Sequence, residues 1–192
     1  LVHIKRQKGP NQKPYWQSFE YNGSLDVTVV TVINTINYTD DIYDIDNNPT
    51  ERIRWECSCM QGVCGGCAMI INGRPSLACD TFIKDLNSKE LVLEPLSKFP
   101  VIADLMVDRR IIYENLNKAN IYLNDRSEVL KKDHPHRYSI SKCLKCGLCL
   151  EVCPNYQYGK DFFGGLFANE AYLIYSAKTK DKEQIIKSYN EH

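Results

Sequence analysis

The chain has 192 residues, enough for two small domains, and its 24 basic and 24 acidic side chains balance, so no basic surface favours nucleic acid as a partner. The nine cysteines are an odd number and follow no charged and apolar leader, which disfavours a secreted disulfide framework. No apolar run approaches the roughly 18 residues of a spanning helix, and we expect a reducing compartment such as cytoplasm or an organellar matrix.

The first half of the chain predicts short strands and one ambiguous segment. Alternating apolar residues predict strands at residues 2–6 and 16–21, with a turn between them. Residues 26–37 are rich in Val, Thr and Ile, which favours a strand, although their apolar side chains also recur at helical spacing. Residues 68–71 and 91–93 predict two more strands.

From Pro100 onwards the apolar pattern has a helical period. The helical stripe consists of Val101, Leu105, Ile112, Leu116 and Ala119. Asp104 would then lie in the first turn, where a carboxylate suits the helix dipole. A second amphipathic helix is predicted around residues 167–175. The change of period places a boundary near residues 95–100, and we expect domains at 1–97 and 98–192.

The first cysteine run is Cys59-x4-Cys64-x2-Cys67-x11-Cys79. This spacing is typical of a plant-type [2Fe-2S] loop, in which three thiolates surround the cluster and a fourth returns from elsewhere. Three glycines between the first and third cysteine let the backbone curl and point N–H groups at the sulfurs. Structural zinc is the alternative, although zinc ribbons pair two Cys-x2-Cys units. Cys57 lies outside the pattern, and we interpret it as a small buried residue or an idle thiol.

The second cysteine run is Cys143-x2-Cys146-x2-Cys149-x3-Cys153, followed by Pro154. This spacing is typical of bacterial-type cubane clusters, and its first three thiolates can bind three irons of one [4Fe-4S] cluster. In two-cluster ferredoxins the cysteine before the proline ligates the neighbouring cluster, which requires further cysteines that residues 154–192 do not contain. The competing interpretation is a single cubane that the fourth cysteine closes.

No other chemistry is indicated. The four histidines, His3, His134, His136 and His192, are scattered, and surface or loop roles fit them better than metal binding. The chain has no G-x-G-x-x-G turn for a dinucleotide, no evident hydroxyl nucleophile and no paired carboxylates. We therefore expect an electron carrier without a catalytic residue, whose substrate chemistry takes place on another chain.

Two such cysteine runs in one chain, about sixty residues apart, resemble the iron–sulfur subunit of succinate dehydrogenase and fumarate reductase, respiratory complex II. The resemblance extends to four further segments, residues 13–20, 62–69, 77–79 and 99–109. It implies an α+β fold, with an N-terminal β-grasp plant-type ferredoxin domain before an all-α bacterial-type ferredoxin domain. It also implies that residues 28–37 form a helix against their propensity.

In this family a flavoprotein subunit oxidises succinate or reduces fumarate at FAD, and three clusters connect it to a quinone at a membrane anchor. The resemblance assigns the [2Fe-2S] cluster to Cys59, Cys64, Cys67 and Cys79, the [4Fe-4S] cluster to Cys143, Cys146 and Cys149, and the [3Fe-4S] cluster to Cys153. It also implies that Pro154 and Tyr158 are quinone neighbours, although Tyr158 stands where a tryptophan is common.

The family's last cysteine group, which completes both clusters of the second domain, would begin about where this sequence stops after His192. We expect either a fragment of a longer subunit or a second chain that carries these cysteines. The expected location is peripheral, on the cytoplasmic face of a bacterial inner membrane or the matrix face of the mitochondrial inner membrane. The alternatives are the iron–sulfur subunit of a soluble or thiol-linked fumarate reductase, and a free-standing ferredoxin-like electron shuttle.

Overall fold

The computed structural model describes residues 1–123, 136–177 and 182–192. Its backbone contacts divide the chain into two compact units, Leu1–Asp108 and Arg109–His192. The first unit is a mixed structure of strands and helix, and the described part of the second is helical, which agrees with the α+β class expected from the sequence. The boundary expected from the change of apolar period lies earlier, between residues 97 and 98.

The first unit, all of which is described, contains seven strands, one α-helix and two short 3-10 helices. The strands are β1 (Val2–Arg6), β2 (Tyr15–Phe19), β3 (Ala68–Ile71), β4 (Arg74–Leu77), β5 (Leu91–Glu94), β6 (Val101–Ala103) and β7 (Met106–Val107). The helix is α1 (Val29–Asn37), and the 3-10 helices are Ala78–Asp80 and Ile83–Leu86. The predictions of strands in the first half of the chain are confirmed, within one or two residues at their ends.

Five strands form one sheet in the order β2-β1-β5-β3-β4. Strand β1 is parallel to β5, and the other neighbours are antiparallel. Alternate side chains of β1, Val2, Ile4 and Arg6, are buried, so one face of the sheet covers the core. Arg6 therefore occupies a core position that a strand pattern normally gives to an apolar residue.

Helix α1 resolves the conflict between strand propensity and helical spacing in favour of the helix that the resemblance implied. Its buried side chains are Val29, Val30, Val32, Ile33, Ile36 and Asn37. The β-branched residues lower helix stability only slightly. Burial of this apolar face against the sheet contributes more free energy, at about 25 cal/mol per Å². Tertiary packing thus overrides the local preference.

The prediction of a helix that begins at Pro100 is wrong. Residues 101–107 form the β6–β7 hairpin, and α2 begins only at Arg110. Asp104 adopts a left-handed φ of 46°, which turns the chain between the two strands, and its carboxylate is buried against Arg6. A left-handed residue cannot continue a helix, and β-branched residues at 101, 102 and 107 favour the extended conformation.

In the described residues of the second unit, the regular structure is helical. The helices are α2 (Arg110–Lys118), α3 (Arg137–Ile140), α4 (Leu148–Val152), α5 (Gly164–Tyr175) and α6 (Lys182–Glu191). The predicted helix around residues 167–175 is confirmed as α5. Ile112 and Leu116 of the predicted stripe are buried on α2. Within the described part of the chain, none of the helices has the length and apolar character to cross a membrane.

We predict that a fragment of residues 1–108 folds, whereas one of residues 1–97 loses about 3–5 kcal/mol or more, because Arg6 stays buried without Asp104. Urea unfolding followed by the fluorescence of Trp16 and Trp55 measures the difference. The Arg6→Met variant of the shorter fragment should regain part of the loss. Equal urea midpoints for the two fragments would contradict the prediction.

Candidate metal centre

The chain reaches the first cysteine run through an extended segment, residues 51–57, that belongs to neither sheet. Ile53 is buried, and Trp55 and Cys57 pack against the same core. This alternation is the period of an extended chain with one face on the protein. The segment therefore lies along the core and ends two residues before Cys59.

The loop after Cys59 contains three residues in the left-handed region. They are Met60, Gly62 and Gly65, with φ angles of 54°, 69° and 76°. Two of the three glycines expected to curl the loop thus have a positive φ, and Met60 has one although it is not a glycine. Met60 follows Cys59 directly, as Gly65 follows Cys64. Each such turn brings the N–H of the next residue back towards the cysteine sulfur.

Each of the four sulfurs of the first run accepts at least one backbone N–H. The Cys59 Sγ accepts from Gln61 N and Val63 N, both at 3.4 Å, and the Cys64 Sγ from Gly66 N at 3.5 Å. The Cys67 Sγ accepts from Cys79 N at 3.4 Å, and the Cys79 Sγ from Gly62 N at 3.2 Å. Because Gly62 lies between the first two cysteines, its bond joins the returning fourth cysteine to the loop.

The four thiols differ in exposure. Cys64 is exposed and Cys59 half-exposed, while Cys67 and Cys79 are buried. The N–H groups of Gln61 and Val63 lower the pKa of Cys59 to about 7, whereas burial raises the pKa of Cys67 to about 12. Since thiolates are the metal ligands, binding at neutral pH must displace a proton from Cys67.

This donor set fits an iron–sulfur cluster, because N–H groups directed at thiolate sulfurs stabilise their negative charge and tune such clusters. Within residues 1–123, 136–177 and 182–192, no three His, Cys, Asp or Glu side chains converge closely enough to bind a single metal ion. Burial raises the pKa of the neighbouring Cys57 thiol. Its interpretation as a buried or idle thiol stays a prediction.

The second cysteine run uses similar backbone turns. Lys145 and Gly147, on either side of Cys146, have φ angles of 52° and 88°. The Gly147 carbonyl then accepts the first hydrogen bonds of α4, which carries Cys149, and Cys153 follows the end of this helix. Although Cys149 is exposed, desolvation of its sulfur raises the pKa of its thiol, and the neighbouring Cys146 and Cys143 raise it further.

Two cationic side chains support this second loop, and neither role was expected from the sequence. Arg109 donates from Nη1 to the Cys146 carbonyl at 3.4 Å. Lys145 Nζ lies 3.1 Å from Glu170 Oε1, and this pair is largely shielded from solvent. The partners are distant in sequence, so no spacing pattern signals these contacts.

The predicted quinone neighbours, Pro154 and Tyr158, are both exposed. The buried residue of this turn is instead Tyr156, and burial raises the pKa of its hydroxyl to about 12. Among the predicted non-ligands, His3 lies 2.8 Å from Ser18 Oγ, and His134 is outside the described residues. The quinone assignment stays a prediction.

Comparison with known proteins gives a family match and relatives that align over most of this chain. The sequence model of the 2Fe-2S iron-sulfur cluster binding domain matches residues 1–114. The succinate dehydrogenase iron-sulfur subunit of Coxiella burnetii is 32% identical over 185 residues, which cover 91% of this chain and 75% of that protein. The corresponding subunit of Bacillus subtilis is 31% identical over 169 residues, which cover 84% of this chain and 66% of that protein.

Among solved structures, a chain of the Mycobacterium smegmatis Sdh1 complex in the apo form superposes with a TM-score of 0.72. At 22% identity it covers 99% of this chain and 80% of that chain, and this likeness shows the fold. The present chain spans about two thirds to three quarters of the length of the two curated relatives.

The two glycines that donate to sulfurs allow a matched test of the left-handed turn. A Cβ at Gly62 or Gly66 would meet only ordinary contacts, at 3.8 Å and 3.7 Å, but only Gly62 has a positive φ. We predict that Gly62→Ala destabilises the reconstituted protein by about 1–2 kcal/mol and that Gly66→Ala costs less. Urea unfolding of both variants checks this, and equal losses would refute it.

Proposed function

Since this chain belongs to the family of succinate dehydrogenase and fumarate reductase iron–sulfur subunits, we propose that it carries electrons between a flavoprotein and a quinone. The observation that carries the proposal is the set of five N–H contacts of 3.2–3.5 Å to the four sulfurs of the first run. N–H donors around four thiolates of this spacing suit the ligands of an iron–sulfur cluster.

In this proposal Cys59, Cys64, Cys67 and Cys79 hold a [2Fe-2S] cluster, which supplies one-electron transfer when bound. The residues of the chain do the rest. The left-handed turns after Cys59 and Cys64 bring backbone N–H groups to the sulfurs, and these groups stabilise the negative charge on them. The buried Cys67 and Cys79 exclude water from one side, whereas the exposed Cys64 leaves the other side open for electron exchange.

The second unit is proposed to hold two further clusters. Cys143, Cys146 and Cys149 supply three ligands of a [4Fe-4S] cluster, and Cys153 supplies one ligand of a [3Fe-4S] cluster. The remaining ligands would come from cysteines outside the present sequence. Arg109 and the Lys145–Glu170 pair hold the loop backbone beside Cys146, so they would orient the three thiolates.

The finer fold assignment follows the same proposal. The mixed five-stranded sheet with α1 packed on it supports a β-grasp domain of the plant-type ferredoxin class. The short helix α3 before the second cysteine run and α4, which carries Cys149, support a helical domain of the bacterial ferredoxin class.

The proposed partners are those of the family. A flavoprotein subunit with FAD would bind succinate or fumarate, and a membrane anchor would bind the quinone near Pro154 and Tyr158. The chain would then be peripheral on the cytoplasmic face of a bacterial inner membrane or the matrix face of the mitochondrial inner membrane.

We predict that the isolated chain has no succinate or fumarate turnover and that the native complex copurifies with a flavoprotein and a membrane subunit. Affinity purification from detergent-solubilised membranes, followed by turnover assays with a chemical electron donor, tests this. A complex with a flavoprotein but no membrane subunit would favour a soluble fumarate reductase instead. Turnover by the isolated chain would overturn the assignment.

A second prediction is that Cys153 ligates the [3Fe-4S] cluster, whose remaining ligands are other cysteines, and not the cubane of Cys143, Cys146 and Cys149. The 192-residue chain should therefore retain its [2Fe-2S] cluster but hold iron poorly in the second unit, and adding a cysteine-containing C-terminal segment should restore both missing clusters. Mössbauer spectroscopy counts the iron. A stable four-iron cluster in this chain that Cys153→Ser removes would contradict the prediction.

A further inference from the structure

The side chain of Arg6 binds the backbone of the segment that leads to the first cysteine run. Its guanidinium is buried, and its Nη2 donates to the carbonyls of Glu51 and Arg52 at 3.2 Å and 3.1 Å. Its Nη1 donates to Gln17 Oε1 on β2 at 2.8 Å. One cation thus ties strands β1 and β2 to a segment that has no sheet partner.

The carboxylate of Asp104 compensates this cation and binds the next residue of the same segment. Its Oδ1 lies 3.0 Å from Arg6 Nε, in an ion-pair contact instead of a directed hydrogen bond, and also accepts from Gln7 N at 3.0 Å. Its Oδ2 accepts from Arg54 N at 2.9 Å, and the Arg54 carbonyl accepts from Leu105 N at 3.1 Å.

Asn37, the last residue of α1, binds the residue between these two anchors. Its Oδ1 accepts from Ile53 N at 2.8 Å, and its Nδ2 donates to the Ile53 carbonyl at 2.9 Å. Six backbone groups of residues 51–54 therefore have defined partners from elsewhere in the unit. Trp55 and Cys57 then follow along the core to Cys59, which leaves little freedom in the approach to the first cysteine.

We propose that the buried Arg6–Asp104 pair is a positioning element for the first cysteine loop, which sets where Cys59 lies relative to the other three sulfurs. This inference rests on the proposed function, because it concerns the same [2Fe-2S] cluster. A displacement of residues 51–54 moves the start of the loop and with it the N–H groups directed at Cys59. Because hydrogen bonds to the sulfurs help set the reduction potential, the pair also influences that potential.

The competing interpretation is that the pair only stabilises the fold. The two roles can be separated because a buried charge without its partner destabilises the protein, whereas removal of both charges relieves that penalty. A purely stabilising pair predicts that the double variant regains both stability and cluster properties. A positioning pair predicts that it regains stability alone, since the carbonyls of Glu51 and Arg52 still lack Arg6.

The experiment uses the full 192-residue chain, reconstituted anaerobically with iron and sulfide, in four forms. They are the wild type, Asp104→Asn, the double variant Arg6→Met/Asp104→Asn, and the control Glu94→Gln. Asparagine tolerates the left-handed φ of Asp104. Its amide nitrogen replaces one of the two oxygens that accept from Gln7 N and Arg54 N, so the change removes the charge and one backbone contact. The control removes one partner of the Lys5–Glu94 pair, which has a comparable 3.0 Å contact but is partly exposed.

Each form is measured by urea unfolding, by the rate of iron release to a chelator, and by the EPR g values and reduction midpoint of the [2Fe-2S] signal. We expect Asp104→Asn to unfold at lower urea and release iron about tenfold faster, because Arg6 is left unpaired. Glu94→Gln should stay within about twofold of wild type in release rate. The double variant should regain much of the unfolding midpoint yet keep fast iron release and displaced g values and midpoint.

A double variant with wild-type iron release, g values and midpoint would overturn the positioning role while leaving the proposed function intact. If Asp104→Asn does not fold, the double variant and the control decide the question alone. A wild-type chain that binds zinc and shows no [2Fe-2S] signal would instead overturn the proposed function, and the positioning role with it.

Discussion

The contact between Arg6 and Asp104 is the constraint on which the first unit depends. It is a buried ion pair whose members are also hydrogen-bonded to β2, to residues 51–54 and to the end of β1. Such a pair adds little net stability over apolar side chains of the same volume, but loss of one partner costs about 3–5 kcal/mol. We infer that it selects one arrangement of these segments, since each alternative leaves a charge buried and unpaired.

The cysteine loop depends on this arrangement because residues 60–64 are mostly exposed and have little packing of their own. Its shape comes from left-handed turns directly after Cys59 and Cys64, and its polarity comes from backbone N–H groups. The second run has a corresponding turn at Gly147, directly after Cys146. In the first run backbone N–H groups contact all four sulfurs, and in the second run Arg109 and the Lys145–Glu170 pair hold the loop beside Cys146.

The cysteine runs, the strands β1, β2, β3 and β5, and α5 could be predicted from the sequence, because spacing and periodicity are local signals. The segment from Pro100 could not, because its apolar residues fit a helical stripe, and the buried contact of Asp104 with Arg6, which favours a hairpin, has no local signal. These residues are 98 positions apart in the sequence. Helix α1 was ambiguous for the related reason that packing against the sheet overrides its β-branched composition.

In the proposed function the first run holds a [2Fe-2S] cluster through Cys79 and the three loop cysteines, and not through Cys57. The most direct measurement is low-temperature EPR of the dithionite-reduced, reconstituted chain, with Cys79→Ser compared with Cys57→Ser. We expect a rhombic signal that Cys79→Ser displaces or abolishes and that Cys57→Ser leaves in place. A signal that persists unchanged in Cys79→Ser but is lost in Cys57→Ser would contradict it.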